Sequence, residues 1–228
     1  VTNISKSEHG YTVKAGGKEF NAKLVVNASG TGAEEICKML TDDVGFQIKP
    51  RRGEYFVIEK DVHIVDNVIF PVPTEKGKGV LAVPTVYGNT LIGPNSEPID
   101  EASIATSDEG IKYIKNNIKK ILKEVPLNKA IRTFAGVRPS STSKDFISEP
   151  LGDDNPNFIN IASIESPGLA SSPGITEYVI EKYIKERLEL MPNPDAVMTR
   201  KSDIVMAQLT DDEKNAVIKE NPQYGNIV

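Results

Sequence analysis

Residues 158–184, FINIASIESPGLASSPGITEYVIEKYI, join a buried strand, a turn of small residues and a long helix without interruption. No other stretch constrains the fold as tightly. Phe158, Ile159, Ile161 and Ile164 carry the strand, bounded by Asn157 and Pro167. Ile175, Tyr178, Val179, Tyr183 and Ile184 recur at helical spacing and predict a buried helix face. Gly168, Leu169, Ser171, Ser172 and Pro173 lie between. Ser172 suits the N-cap and Pro173 the first helical position, where a missing N–H has no intrahelical partner to lose. The helix is therefore expected to start at Pro173. A helix N-terminus behind such a turn gathers unpaired N–H groups and the positive end of the dipole. It suits a phosphate, a carboxylate or an electron-rich ring edge, although an ordinary strand-to-helix connection has the same features.

With 228 residues, 39% of them hydrophobic and 26% charged, the chain has the make-up of a soluble globular protein of one large or two small domains. The net charge is −5, and the pattern holds no basic cluster of the kind that nucleic acid or an anionic membrane surface requires. The apolar runs are too short to span a bilayer, and no signal peptide opens the chain. Cys37 is the single cysteine, which excludes an internal disulfide or a cysteine-held cluster; it falls on an apolar helix face and reads as packing. The two histidines, His9 and His63, have no partner at metal-ligand spacing, so no metal is expected. Val1 begins in mid-pattern, as an interior cut does.

Taken in order, residues 1–28 read as three successive strands with turns at Gly10 and Gly16–Gly17, the third over 19–28 around Leu24, Val25 and Val26. Ser29-Gly30-Thr31-Gly32 leads into a helix over 33–40, with Thr31 and Glu34 in a capping-box pattern. A dinucleotide fingerprint is rejected here, because Glu35 holds its third glycine position and would oppose a pyrophosphate. Phe46 and Ile48, then Tyr55 and Val57, predict two strands, with Pro50, Arg51, Arg52 and Gly53 as the turn between them. Short strands over 68–72, 79–83 and 90–93 form an antiparallel meander. A helix from about Thr106, with Ile111, Ile114, Ile118, Ile121 and Val125 on one face, covers that sheet. A strand over 130–139 is broken at Gly136, whose missing side chain allows a close approach, and presents Arg138 at its end. A short strand over 145–149 follows, with Phe146 and Ile147 buried. A last helix runs from Thr210, boxed by Glu213, to Glu220.

Five blocks in this order, KLVVNASG, PRRGEYFVIE, VIFPVPTEKGKGVLAVPTVYGNTLIGPN, IRTFAGVRP and FINIASIESPGLASSPGI, resemble the flavin-dependent D-amino-acid-oxidase superfamily. Within it they are most similar to bacterial FAD-linked glycerol-3-phosphate dehydrogenases, with L-2-hydroxyglutarate oxidases nearby. The resemblance implies an α/β (α+β) fold: an antiparallel substrate-binding sheet flanked by helices, plus the C-terminal part of a Rossmann-like FAD-binding domain. It divides the chain into 1–44 (FAD-binding, partial), 45–134 (substrate-binding), 135–190 (FAD-binding again) and 191–228 (linker and helix). The family's opening GxGxxG unit is missing here, so the chain resembles a C-terminal portion of such an enzyme.

The resemblance also assigns roles. Val1 would lie beneath the adenosine, Asn27, Ala28 and Gly30 would form a second flavin-contact segment, and Gly136 would sit near the flavin. Gly168, Leu169, Ala170, Ser171 and Ser172 would meet the isoalloxazine. Arg138 would hold the substrate's phosphate or carboxylate, with Arg51 and Arg52 as further anion contacts and Lys144 also at hand. FAD is the implied cofactor of the full-length protein, with little retained by residues 1–228 alone. The implied reaction is oxidation of sn-glycerol 3-phosphate; an L-2-hydroxyglutarate or amino-acid substrate is the enzyme alternative, and a non-catalytic partner-docking domain is the alternative of another class. A cytoplasmic location, peripheral membrane association through partner subunits, and a two-iron two-sulfur domain beyond Val228 complete the expectations.

Overall fold

The computed structural model describes residues 1–73, 79–197, 199 and 204–225. It separates into two compact units, Val1–Glu189 and Leu190–Val228. Among the described residues, no helix is long and apolar enough to cross a membrane.

The first unit opens with an antiparallel sheet of β1 (Asn3–Ser7), β2 (Gly10–Ala15) and β3 (Lys18–Ala22). Gly16 and Gly17, at φ of 56° and 72°, make the tight β2–β3 turn that such angles require. The strand expected over 19–28 is in fact two. β3 stops at Ala22, and β4 (Val25–Asn27) joins another sheet, beside β11 (Phe158–Ala162). The pair is parallel, with Phe158 opposite Val25, Ile159 opposite Val26 and Asn160 opposite Asn27. β10 (Ile147–Pro150) runs antiparallel on the other edge of β11.

Both faces of β11 are covered, which is why its sequence reads as a near-continuous apolar run. Phe158 packs with Tyr11, Cys37 and Leu151 on one side, its ring edge-on to Tyr11 at 5.9 Å. Ile159 packs with Val179 and Tyr183 on the other. The helix α1 (Ala33–Lys38) starts behind Gly32 with no side-chain cap, so the Thr31–Glu34 box does not form. Glu34 instead pairs with Lys38 at 2.5 Å and accepts the Ile48 N–H at 2.7 Å.

The third sheet is built on β5 (Arg51–Ile58). It pairs with β7 (Thr90–Gly93) and β8 (Glu97–Pro98) along one edge and with β9 (Ala130–Arg138) along the other; β6 (Leu81–Pro84) extends it beyond β7. Arg51, Arg52 and Gly53 are therefore strand residues rather than a turn, because β9 pairs with them up to Arg51 opposite Arg138. The Phe46–Ile48 segment contributes only the bridge between Ile48 and Ser141, and the expected 68–72 strand only that between Ile69 and Ala82. Part of the 79–83 strand survives as β6; residues 74–78 lie outside the described residues. Gly136 does not break β9, where it stands opposite Gly53. One face of β5 carries Phe56 and Ile58. They meet Ile114 and Ile118 from α2 (Asp108–Asn117) and its extension, with Ile111, Ile121 and Val125 packed around them. α2 is capped by Ser107, whose hydroxyl accepts the Gly110 N–H.

α3 (Gly168–Val179) begins five residues before the proline expected to start it. Pro173 lies inside the helix and cannot donate to Leu169 O; the Ser172 hydroxyl donates to that oxygen instead, at 2.9 Å. A π-turn, Ile180–Ile184, carries the helix on. Val179 and Tyr183 are buried as the periodicity predicts, but Tyr178 is exposed, with its hydroxyl taken by Lys182 at 2.6 Å.

In the second unit, α4 (Asp211–Glu220) carries the expected capping box, Thr210 and Glu213 each bonding the other's backbone N–H. Residues 226–228 lie outside the described residues, and the two-iron two-sulfur expectation concerns residues beyond Val228.

Candidate functional site

Parallel strands deliver their carboxyl ends to the same edge of a sheet, where ligands of open α/β folds bind. Here β4 ends at Asn27, opposite Asn160 two residues before the end of β11; both are buried and joined by a 3.0 Å hydrogen bond from Asn27 Nδ2 to Asn160 Oδ1. Asn27 Nδ2 also reaches the Ala33 carbonyl at 3.0 Å and Cys37 Sγ at 3.3 Å, and the Cys37 thiol donates to Asn160 Oδ1 at 3.0 Å. Burial pushes the Cys37 thiol up from its ordinary pKa, with the two asparagines opposing, which keeps it protonated and unreactive. The Ser29 hydroxyl donates to Asn27 Oδ1 at 2.6 Å and so fixes the turn that holds Ala28 and Gly30. Gly30 has φ of 60°, and a Cβ built on it would meet nothing within 4 Å. The turn is open on that side.

β11 leads into a second tight connection. Ser163, buried, takes φ of 58°, and the Gly168 N–H closes the loop on the Glu165 carbonyl at 2.6 Å. No side chain caps the N-terminus of α3. Leu169 is 92% exposed there, and Ala170 and Ser172 are exposed beside it. β4 and β11 are parallel neighbours in register, so the turn after Asn27 and the connection after Ala162 both leave the same end of one sheet.

The third component is the face of β5 and β9 turned away from α2. Alternation puts Arg51, Gly53 and Tyr55 on it, opposite Arg138, Gly136 and Phe134 in register. Tyr55 and Phe134 stack at 5.1 Å with planes 8° apart. The Arg138 guanidinium lies over Gly53: a Cβ there would fall 2.6 Å from Nη2 and 3.0 Å from Cζ. Arg138 Nη1 is buried and without a hydrogen-bond partner among the described residues. Burial raises the pKa of the Tyr55 hydroxyl, and the charge of the adjacent Arg138 opposes the shift, so Tyr55 is a neutral donor at pH 7.

The close approach expected at Gly136 occurs at Gly53 instead; at Gly136 a Cβ would meet nothing within 4 Å. Arg51 and Arg52 are already engaged. Arg51 donates to Ser96 Oγ and to the Ser96 carbonyl, each at 3.0 Å. Arg52 donates to Glu97 at 2.8 Å and to the Ala105 carbonyl at 2.9 Å, and lies 3.6 Å from Glu54. Lys144 is exposed, and Val1 precedes β1 with 58% of its surface exposed. Gly53, Tyr55, Phe134, Asn160 and Glu165 were not singled out from sequence. Asn160 had a signal, as a polar residue inside an apolar run; the others acquire their positions only through strand pairing.

The model of the family described as FAD dependent oxidoreductase matches residues 1–182. Over 232 residues the chain is 39% identical to a glycerol 3-phosphate dehydrogenase of Caloramator mitchellensis, which covers all of this chain and 48% of the relative. It is 25% identical over 234 residues to an L-2-hydroxyglutarate dehydrogenase of Escherichia coli O17:K52:H18, covering 85% of the chain and 55% of the relative. Its structure superposes on the dithionite-reduced, FAD-bound L-α-glycerophosphate oxidase of Mycoplasma pneumoniae with a TM-score of 0.75 at 29% identity, over 86% of this chain and 52% of that one. The chain thus spans about half the length of the proteins it matches. Its family match over most of its length, together with that shared fold, establishes that the chain belongs to the FAD-dependent oxidoreductase family of D-amino-acid-oxidase type.

Proposed function

We propose that this chain supplies the substrate-holding half of an FAD-dependent dehydrogenase that oxidises sn-glycerol 3-phosphate to dihydroxyacetone phosphate. The observation that carries the reading is the buried, unpartnered Nη1 of Arg138 on the β5–β9 face turned away from α2. A guanidinium nitrogen left without a partner is costly, and a bound oxyanion removes that cost. The chain's other features fit a flavin. The Gly30 turn has room where a Cβ would stand, and α3 offers an uncapped N-terminus.

Bound FAD would supply the hydride acceptor, which no side chain can. The protein's part is to hold and polarise. Arg138 grips the substrate anion through its planar fork, and Gly53 leaves the space that the fork occupies. The Tyr55 hydroxyl adds a neutral donor beside it. The stacked Tyr55 and Phe134 rings form an apolar wall that limits water. The free N–H groups at Leu169 and Ala170 favour negative charge at the helix start.

A second reading, L-2-hydroxyglutarate as substrate, is favoured by one observation: Arg51 is engaged by Ser96 and Arg52 by Glu97, so neither joins Arg138 at the anion, and a carboxylate needs fewer cationic contacts than a phosphate. Anaerobic mixing of the flavin-loaded protein with each compound separates the two. Bleaching of the flavin absorbance by glycerol 3-phosphate at least tenfold faster than by L-2-hydroxyglutarate is expected; the reverse order overturns the assignment.

A further inference from the structure

The segment just after Arg138 is held from two sides. Its backbone pairs with residues 47–49: Lys49 N–H donates to the Ser140 carbonyl at 2.6 Å, and Thr142 N–H to the Gln47 carbonyl at 2.9 Å. Its side chains pair with the loop between β11 and α3. The Ser140 hydroxyl donates to Glu165 Oε2 at 2.5 Å, and the Ser141 hydroxyl to Ser163 Oγ at 2.8 Å. Ser140 is 8% and Ser163 2% exposed, so each contact has one buried and one half-buried member. Ser163 is also held at φ of 58°, a conformation that a residue other than glycine keeps only where its surroundings over-determine it.

We infer that Ser140 and Glu165 are positioning residues that set the spacing between the anion-holding Arg138 and the N-terminus of α3. Arg138 lies two residues before Ser140, and Gly168 three residues after Glu165. Arg138 belongs to the sheet packed on α2, while α3 packs on β11 around a different hydrophobic cluster. Each cluster fixes its own elements. The distance between the two functional segments depends on contacts that cross from one to the other, and the Ser140–Glu165 and Ser141–Ser163 bonds cross where both segments begin. Neither Ser140 nor Glu165 is needed to hold anion or cofactor, so loosening the tie misplaces bound groups without releasing them. A displacement of this kind lowers turnover more than affinity.

The inference rests on the proposed dehydrogenase reading, and the test keeps the two apart. Ser140→Ala, Glu165→Ala and Glu165→Gln are made in the flavin-loaded protein. In Ser140→Ala and Glu165→Ala, kcat with glycerol 3-phosphate is expected to fall at least tenfold, with KM and the FAD dissociation constant within threefold of wild type. The deuterium isotope effect from C2-deuterated substrate should rise. Glu165→Gln keeps an accepting oxygen for Ser140 and should stay within threefold in every parameter. In cofactor-free protein, amide hydrogen exchange over 163–170 should speed up in both alanine variants while β5 and β9 are unchanged. Should Glu165→Ala fail to accumulate, Ser140→Ala, which removes one oxygen, decides alone. Turnover within twofold of wild type, a loss that follows FAD content, or unchanged exchange overturns the inference. Wild-type flavin that glycerol 3-phosphate leaves oxidised overturns the substrate reading alone, and the same comparison is then made with L-2-hydroxyglutarate.

Discussion

The two faces of β5 differ in how their charged groups are engaged. On the α2 side, Glu54 is fully buried, yet its carboxylate accepts from the Ser107 N–H, the Ser107 hydroxyl and Asn95 Nδ2, with Arg52 beside it. Asn95 in turn accepts the Glu54 N–H at 2.7 Å. A Cβ at Gly110 would overlap that carboxylate, so the first turn of α2 sits directly on it. On the other side, one residue away, Arg138 keeps a guanidinium nitrogen with no partner. A buried carboxylate ringed by donors serves the fold, and Arg52 beside it, although its Nε is also unpartnered, is held through both terminal nitrogens; Arg138 instead has a terminal nitrogen that finds no acceptor, which suits a ligand. Substitutions on the two faces should therefore separate stability from ligand affinity.

Glu54→Ala should have the largest effect. It strands the Ser107 and Asn95 donors in the interior and should cost about 3–5 kcal/mol of folding stability. Urea unfolding checks it, and a loss below about 1 kcal/mol would mean that the network is dispensable. Arg138→Lys comes next. Lysine keeps the charge and loses the two-point fork, so the KM for the anionic substrate should rise about 10–100-fold, equivalent to about 1.4–2.8 kcal/mol. The unfolding midpoint and flavin content should stay at wild-type values; lost flavin would reassign Arg138 to cofactor binding or structure.

Gly53→Ala sharpens the contrast further. The new Cβ meets the end of a flexible arginine rather than backbone, and φ at Gly53 is not in the left-handed region. Stability should hold or rise by up to about 1 kcal/mol, because alanine restricts the unfolded chain. Anion affinity should fall about 3–10-fold, on the order of 0.8–1.4 kcal/mol, as Arg138 is pushed aside. Isothermal titration with the substrate reads both the sign and the size. Tyr55→Phe is the smallest change. It removes one neutral donor and should raise KM about 2–5-fold, on the order of 0.4–1 kcal/mol. Since burial holds the Tyr55 hydroxyl protonated above its ordinary range, the pH profiles of wild type and variant should run parallel up to about pH 9. A divergence near neutrality would show Tyr55 titrating.

Local chemistry was legible wherever it involved near neighbours. The Thr210–Glu213 box, the apolar stripe of α2, the Gly16–Gly17 turn and the apolar run of β11 follow from spacing and side-chain type, because every group concerned lies within a few residues of its partner. The ordered blocks of sequence carried the family. The misread elements share a different cause. Pro173 looks like a helix start only until the Ser172 hydroxyl takes over the bond that proline cannot make. The Thr31–Glu34 pattern fails because Glu34 finds Lys38 and the Ile48 N–H instead. Arg51 to Gly53 look like a turn until β9, some 80 residues on, pairs with them.

By itself the sequence determined that α1 to α4 are helices and β11 a buried strand, the apolar faces of α2 and β11, and the family. Only the tertiary structure decided that Gly53 rather than Gly136 makes room beside the arginine, that Arg51 and Arg52 are engaged elsewhere, and that Ser140 meets Glu165. Those outcomes depend on strand register and on competition among partners distant in sequence. A hydrogen bond is won by whichever group the fold brings within about 3 Å, and local spacing carries no record of that contest.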